Sequence, residues 1–250
     1  MDGYLRNRWT ESLGTSGRIH RNRHQWLYEA KKRYGLVILN YTVTSNHIHL
    51  LVVGGNERDI IPNSIKLIAG RTGQEFNQRK SRKGAFWEDR YHATAIESGE
   101  HLLKCLVYID LNMVRAGVVK HPSEWPFCGY NEIQKPKRKN ILIDYQKLTE
   151  LLGFDSYDEV TKYHKGWVEE HLENGNNKRD DKWTMSIAVG NRSFVESVKL
   201  LMGTLAIGRN SIESGKSFQL REAAVPYGAH FGGKKSNIGP ENTYFWGVIR

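Results

Sequence analysis

An α+β fold, an antiparallel sheet with helices packed on one face, is the class that this sequence predicts, and three observations carry it. Leu36–Val43 and His47–Val53 are short runs rich in apolar and β-forming residues, joined by the turn formers Thr44, Ser45 and Asn46, which is a hairpin pattern. A third alternating run, Ala93–Ile96, adds a further strand. Between and after these runs, residues 62–79 and 101–118 carry apolar side chains at intervals of three and four, as helices covering a sheet do.

The elements follow in order. Met1–His20 carries Arg6, Arg8 and Arg18 among glycines without sustained alternation, so it reads as irregular and offers no first strand. From Arg23 a helix places Trp26, Leu27, Ala30 and Tyr34 on one face and stops at Gly35. The hairpin follows and ends at Gly54-Gly55-Asn56. Pro62 suits a first helical position, and Ile61, Ile65, Ile68, Ala69, Thr72 and Phe76 give the next helix its apolar face. Its other side bears Lys66, Arg71 and Arg79, either a solvated face or a set of phosphate contacts. In A-F-W-E-D-R-Y-H-A-T-A-I-E, Trp87 and Tyr91 stack on unpaired bases with Arg90 on a phosphate, or else fill the core. Beyond Tyr130, residues 134–140 form a basic linker. Helices are expected over 145–152, from the capping box Ser156-x-x-Glu159 to about Leu172, and over 193–202, with a loop over 174–182. The division is a catalytic domain over 1–133, the linker 134–140 and a mainly helical accessory region over 141–250.

Charge narrows the partners. Lys and Arg number 37 against 27 Asp and Glu, a formal +10, which favours nucleic acid, with anionic lipid the other polyanion. No run approaches the roughly 20 apolar residues of a membrane span and no secretion signal opens the chain, so a soluble, cytoplasmic protein without a membrane partner is expected. Two cysteines, Cys105 and Cys128, exclude a disulfide framework and an all-cysteine zinc site.

Chemistry concentrates in two places. On the strand H-I-H-L-L-V-V, side chains alternate, so His47 and His49 project from one face, where two imidazoles converge on a divalent ion or an anion, or simply face water. On the helix over 101–118, Leu102, Leu103, Leu106, Ile109 and Met113 form a buried stripe, while His101, Lys104, Tyr108, Asn112 and Arg115 recur along another. A phenol with an amide one turn on and cations beside it has the parts of a phosphotyrosine-forming site: the phenol attacks phosphorus, a metal neutralises nonbridging oxygens, and Lys or Arg steadies the developing charge. The alternative is a solvated polar stripe.

The strings Y-T-V-T-S-N-H-I-H-L-L-V, G-A-F-W-E-D-R-Y-H-A-T-A-I-E, Y-I-D-L-N-M-V-R-A-G-V-V and H-P-S-E-W-P-F-C-G-Y resemble, in this order from about His24 to Tyr130, the single-tyrosine HUH transposases, and more narrowly their REP-associated tyrosine transposase branch. That resemblance implies a ferredoxin-like catalytic domain. It implies His47, His49 and Asn112 as ligands of Mg²⁺ or Mn²⁺ and Tyr108 as the nucleophile. The activity implied is cleavage and rejoining of single-stranded DNA beside a hairpin, through a 5′-phosphotyrosine and a free 3′-hydroxyl. Lys104 and Arg115 are the phosphate candidates within it. Whether such a protein acts as monomer or homodimer is not legible.

Two positions depart from the family pattern. Its members open with a proline-glycine turn and a strand holding an aromatic-His-Ile/Val run, and Met1–His20 has neither, which implies a missing or atypical strand and a truncated, inactive hairpin-binding copy as the alternative. Many relatives have Asn-Pro where this chain has Asn112-Met113, and methionine only restores a helix donor. A metal-dependent nuclease using water is the third reading.

Overall fold

The computed structural model describes residues 2–8, 17–44, 47–54, 57, 59–87, 91–175 and 179–222, with side chains from Arg23 onward. Among them one sheet runs in the order β2-β3-β1-β4-β5-β7-β6. Its strands are β1 (Asp2–Arg8), β2 (Ile38–Val43), β3 (His47–Val53), β4 (His92–Ile96), β5 (Ala188–Gly190), β6 (Arg209–Ser214) and β7 (Ser217–Glu222). Every neighbouring pair is antiparallel except β4 with β5. The α+β class is as the sequence predicts.

The first strand corrects the sequence reading. Asp2–Arg8, which offers no alternation, lies between β3 and β4, in register Arg8↔His47 to Asp2↔Val53 on one side and Arg6↔His92 to Asp2↔Ile96 on the other. A strand held on both edges is specified by two backbone ladders, which any residue except proline can donate to, so hydropathy carries little trace of it. The slot left open by the departure from the family pattern is therefore filled by a strand.

The helices occupy both faces of the sheet, not one. Cross-strand partners share a face, so Tyr41 and Leu50 lie with Val43 and Ile48, while Asn40 and Leu51 lie with Thr42 and His49. The first set meets α1 (Gly17–Tyr34) and α2 (Ile60–Arg79): the Tyr41 hydroxyl lies 3.0 Å from His24 Nε2, and Ile48 and Leu50 line a small apolar cavity with Ile65 and Ile68. The second set meets α3 (Glu100–Asp110), whose Leu106 and Ile109 carbonyls accept from Asn40 Nδ2 (3.3 Å) and Thr42 Oγ1 (3.1 Å). The helix predicted over 101–118 divides at Leu111 into α3 and α4 (Asn112–Arg115), and Gly117, at φ +69°, follows it.

After α5 (Tyr130–Gln134) and the exposed residues 135–140, the chain returns to β2, where Ile143 bridges Ile38 and Leu142 and Ile143 enter the same core as the hairpin. The expected helices appear as α6 (Tyr145–Leu152), α7 (Tyr157–Glu173) and α9 (Arg192–Met202), with the short α8 (Lys182–Met185) before β5. Ser156 caps α7 as its sequence motif predicts, its hydroxyl accepting from Glu159 N. The strands β5, β6 and β7, which periodicity did not reveal, continue the sheet beyond β4.

Candidate functional site

Strand parity places the two histidines on the α3 face. His49 is 4 % exposed and His47 half-buried, and their rings stack with centroids 5.9 Å apart and an interplanar angle of 21°. The division of the helix at Leu111 puts Asn112 at the start of α4, where its Nδ2 donates to His49 Nε2 at 3.1 Å. Because an amide N–H points at it, Nε2 carries a lone pair, the form in which imidazole ligates a metal. Donors about 2.1 Å from an octahedral ion sit about 3.0 Å apart when adjacent. The spacing of His49 and Asn112 therefore suits two cis ligands once the amide turns its oxygen inward. Among the described residues, His, Cys, Asp and Glu nowhere gather in threes that suit a metal, so an amide as third donor is what this chain offers.

Tyr108 lies one turn earlier and only 8 % exposed. The Arg115 guanidinium sits 4.0 Å from its ring centroid and donates to its carbonyl, and the Trp183 ring lies 6.2 Å away at 39°. These groups line a cavity of about 260 Å³ together with Lys104, His171, Asp180 and Lys182. Its described lining includes neither histidine of β3 nor Asn112. The structure thus brings His49 and Asn112 into contact, with Tyr108 one turn before Asn112 on α3 and lining this cavity.

A buried polar network fixes the helix that carries both. Asp110, at the end of α3, accepts from Asn40 Nδ2 at 3.1 Å and lies 2.6 Å from His164 Nε2 on α7, both side chains fully buried. Gln134 Nε2 donates to His164 Nδ1 (3.0 Å) and to the Thr161 carbonyl (3.1 Å), and the ring turns its Nε2 to the carboxylate. With every member partnered, such a network holds one arrangement of β2, α3, α5 and α7. Gly129, in the C-G-Y string, closes it from the edge: its N–H donates to Tyr41 O at 2.7 Å, and a Cβ there would collide with Asn40 Oδ1.

The other sequence candidates are dispersed. Lys104 pairs with Glu100 at 2.5 Å at the mouth of the Tyr108 cavity. Arg71 lies over the Trp26 ring at 5.5 Å and Arg79 over Phe76 at 5.7 Å, both on α2, across the sheet from His49. Trp87 donates to the Ala69 carbonyl at 2.9 Å and, with Tyr91, lines the apolar cavity beneath α2. Arg90 lies outside the described residues. His101 is held between Glu97 (3.0 Å) and Ser217 (3.1 Å), and burial pulls its pKa below the ordinary value despite Glu97. Sequence reasoning missed Asp110, which stands inside the Y-I-D-L-N string without being singled out, His164, which no motif marks, and His171, Lys182 and Trp183, whose one signal is a basic-aromatic pair after a polar stretch.

Residues 13–112, two fifths of the chain, match the family model described as Transposase IS200 like, a span that contains His47, His49, Tyr108 and Asn112. The resemblance drawn from the sequence is borne out over that stretch. Solved structures that it resembles include a REP-associated tyrosine transposase bound to a REP hairpin, at 18% identity and a TM-score of 0.44, covering 58% of this chain and 88% of that one. Another is a transposase of Deinococcus radiodurans assigned without experimental proof, at 16% identity and a TM-score of 0.31, covering 37% of this chain and 76% of that one. No curated protein matches the sequence.

Proposed function

We propose, with the transposase family match as premise, that this protein is a metal-dependent nickase and strand transferase acting on single-stranded DNA beside hairpins. The observation that carries the reading is the 3.1 Å contact of His49 Nε2 with the Asn112 amide, which joins the H-x-H strand to the helix of the tyrosine. His47, His49 and Asn112 would hold Mg²⁺ or Mn²⁺. When bound, such an ion supplies Lewis acidity, neutralising the nonbridging oxygens and polarising the phosphorus.

The chain's own residues do the rest. Tyr108 Oη gives up its proton, bonds to phosphorus and displaces the 3′-oxygen, which leaves with a proton as the free hydroxyl. The phosphodiester energy is conserved in the 5′-phosphotyrosine, so rejoining is the same step reversed and needs no nucleotide triphosphate. Arg115, over the phenol, and Lys104, at the cavity mouth, offset the charge that develops on the phosphoryl oxygens. Burial of Tyr108 limits water at the phosphotyrosine, which favours transfer over hydrolysis.

The test is a denaturing gel with labelled single-stranded DNA carrying a hairpin from the gene's own flanks. A covalent band that needs Mn²⁺ or Mg²⁺ and disappears in Tyr108→Phe is expected. Cleavage without a band would indicate water as the nucleophile. Hairpin binding with neither would leave a DNA-binding protein and end the catalytic reading.

A further inference from the structure

The Tyr108 cavity is built as much by the C-terminal part of the chain as by α3, and nothing in the phosphotyrosine chemistry calls for that second wall. His171 closes it from α7, Asp180 from the approach to α8, and Lys182 and Trp183 from the first turn of α8. Lys182 bonds Asp180 at 2.6 Å and holds its ammonium 5.0 Å from the Trp183 ring centroid, so cation and indole are placed as one unit.

We infer that this cavity is a subsite for one unpaired deoxynucleotide flanking the scissile bond, with Lys182 on its phosphate. The inference rests on the reading of Tyr108 as nucleophile. Three features of the wall carry it. Among the described residues its charged lining is Lys104, Arg115 and Lys182 against the carboxylate of Asp180, and with Glu100 paired to Lys104 the cations still exceed the carboxylates, as suits a phosphodiester. Trp183, a buried floor at 2 % exposure beside Tyr108, fixes the place of the Lys182 ammonium over its ring. At about 260 Å³ the cavity lies just below the usual range of small-ligand sites, room for no more than one nucleotide and none for a duplex. His171 adds a polar edge, its Nδ1 donating to the Trp167 carbonyl at 2.8 Å.

Photocrosslinking of the full-length protein tests this without turnover. Single strands with one 5-iododeoxyuridine, moved stepwise past the cleavage position, are irradiated in chelator and the crosslinked peptides identified by mass spectrometry. One position next to the cleavage site is expected to label the peptide holding Tyr108 or the one holding Trp183. Lys182→Ala should weaken single-strand binding about fivefold and flatten the log-log salt dependence by about 0.7, the share of one phosphate contact on a single strand. Lys182→Arg should preserve both, which separates lost charge from lost folding. Labels confined to other peptides, with the affinity and salt slope of Lys182→Ala unchanged, would overturn the subsite. A label at Trp183 with no metal-dependent Tyr108 adduct would instead retain the subsite and remove the catalytic reading.

Discussion

The two faces of β3 are made of adjacent residues and do opposite work. Toward α2 the strand presents Ile48 and Leu50 to Ile65 and Ile68, an apolar layer whose role is burial. Toward α3 it presents His49 to Asn112, while Asn40 and Thr42 on the neighbouring strand meet Asp110 and the Ile109 carbonyl, in a largely buried layer of hydrogen bonds. Burial is cheap on the first face and costly on the second, where each polar group needs its partner. The difference teaches how the fold spends stability: the α2 face supplies it non-directionally, and the α3 face uses it to hold a few atoms at set distances.

Breaking the polar face at its most buried point has the largest expected effect. Asp110→Ala removes an acceptor from both His164 and Asn40 and leaves the two donors buried without it, which should cost about 2–6 kcal/mol, read by urea denaturation. Any residual activity should fall with it, because α3 loses its tie to β2 and α7. An Asp110→Ala protein as stable as wild type would show that the network is dispensable.

Adjacent substitutions sharpen the contrast. Leu50→Ala, toward α2, should lower stability by about 3 kcal/mol through the cavity it leaves, with the metal dependence of adduct formation unchanged. His49→Ala, one residue away, should cost about 1–3 kcal/mol, since it leaves the Asn112 amide without this acceptor and removes the stack on His47, yet abolish the adduct and weaken Mn²⁺ binding measured by calorimetry. If the two variants exchanged these phenotypes, the assignment of the faces would be wrong.

How far this was legible depended on whether a residue's role is written in its neighbours. The β3 strand, His47–Val53, was readable to the residue because alternation records which face each side chain takes, and α7 because Ser156 and Glu159 stand three apart. The strand Asp2–Arg8 was not, because its place is set by backbone bonds to two partners far along the chain. The surroundings of Tyr108 were also hidden. Helical spacing aligns Tyr108 with Asn112, but the division at Leu111 and the wall contributed by Trp183 are tertiary facts. The helices on both faces follow from the same alternation once it is applied to β2 as well as β3. Asn40 and Thr42 lie opposite Tyr41, and only a second layer can satisfy them.

The smallest expected effect comes from the margins of both faces, where two histidines are held neutral. His24, against Tyr41 on the α1 side, has its pKa lowered first by burial and then by Lys137, and His101, on α3, is lowered by burial although Glu97 opposes it. The unfolded chain, with imidazoles near the ordinary 6.5, therefore binds protons that the folded chain resists. Stability should be complete above that value and decline as pH falls through it toward the lowered folded values. Denaturation midpoints at pH 7.5 and 5.5 measure the decline. His24→Gln, which keeps a polar partner for the Tyr41 hydroxyl but cannot titrate, should make the decline shallower, and His24→Gln with His101→Gln shallower still. A midpoint that rose on acidification, or a decline indifferent to both substitutions, would place the titrating groups elsewhere and leave the two faces equal in their response to pH.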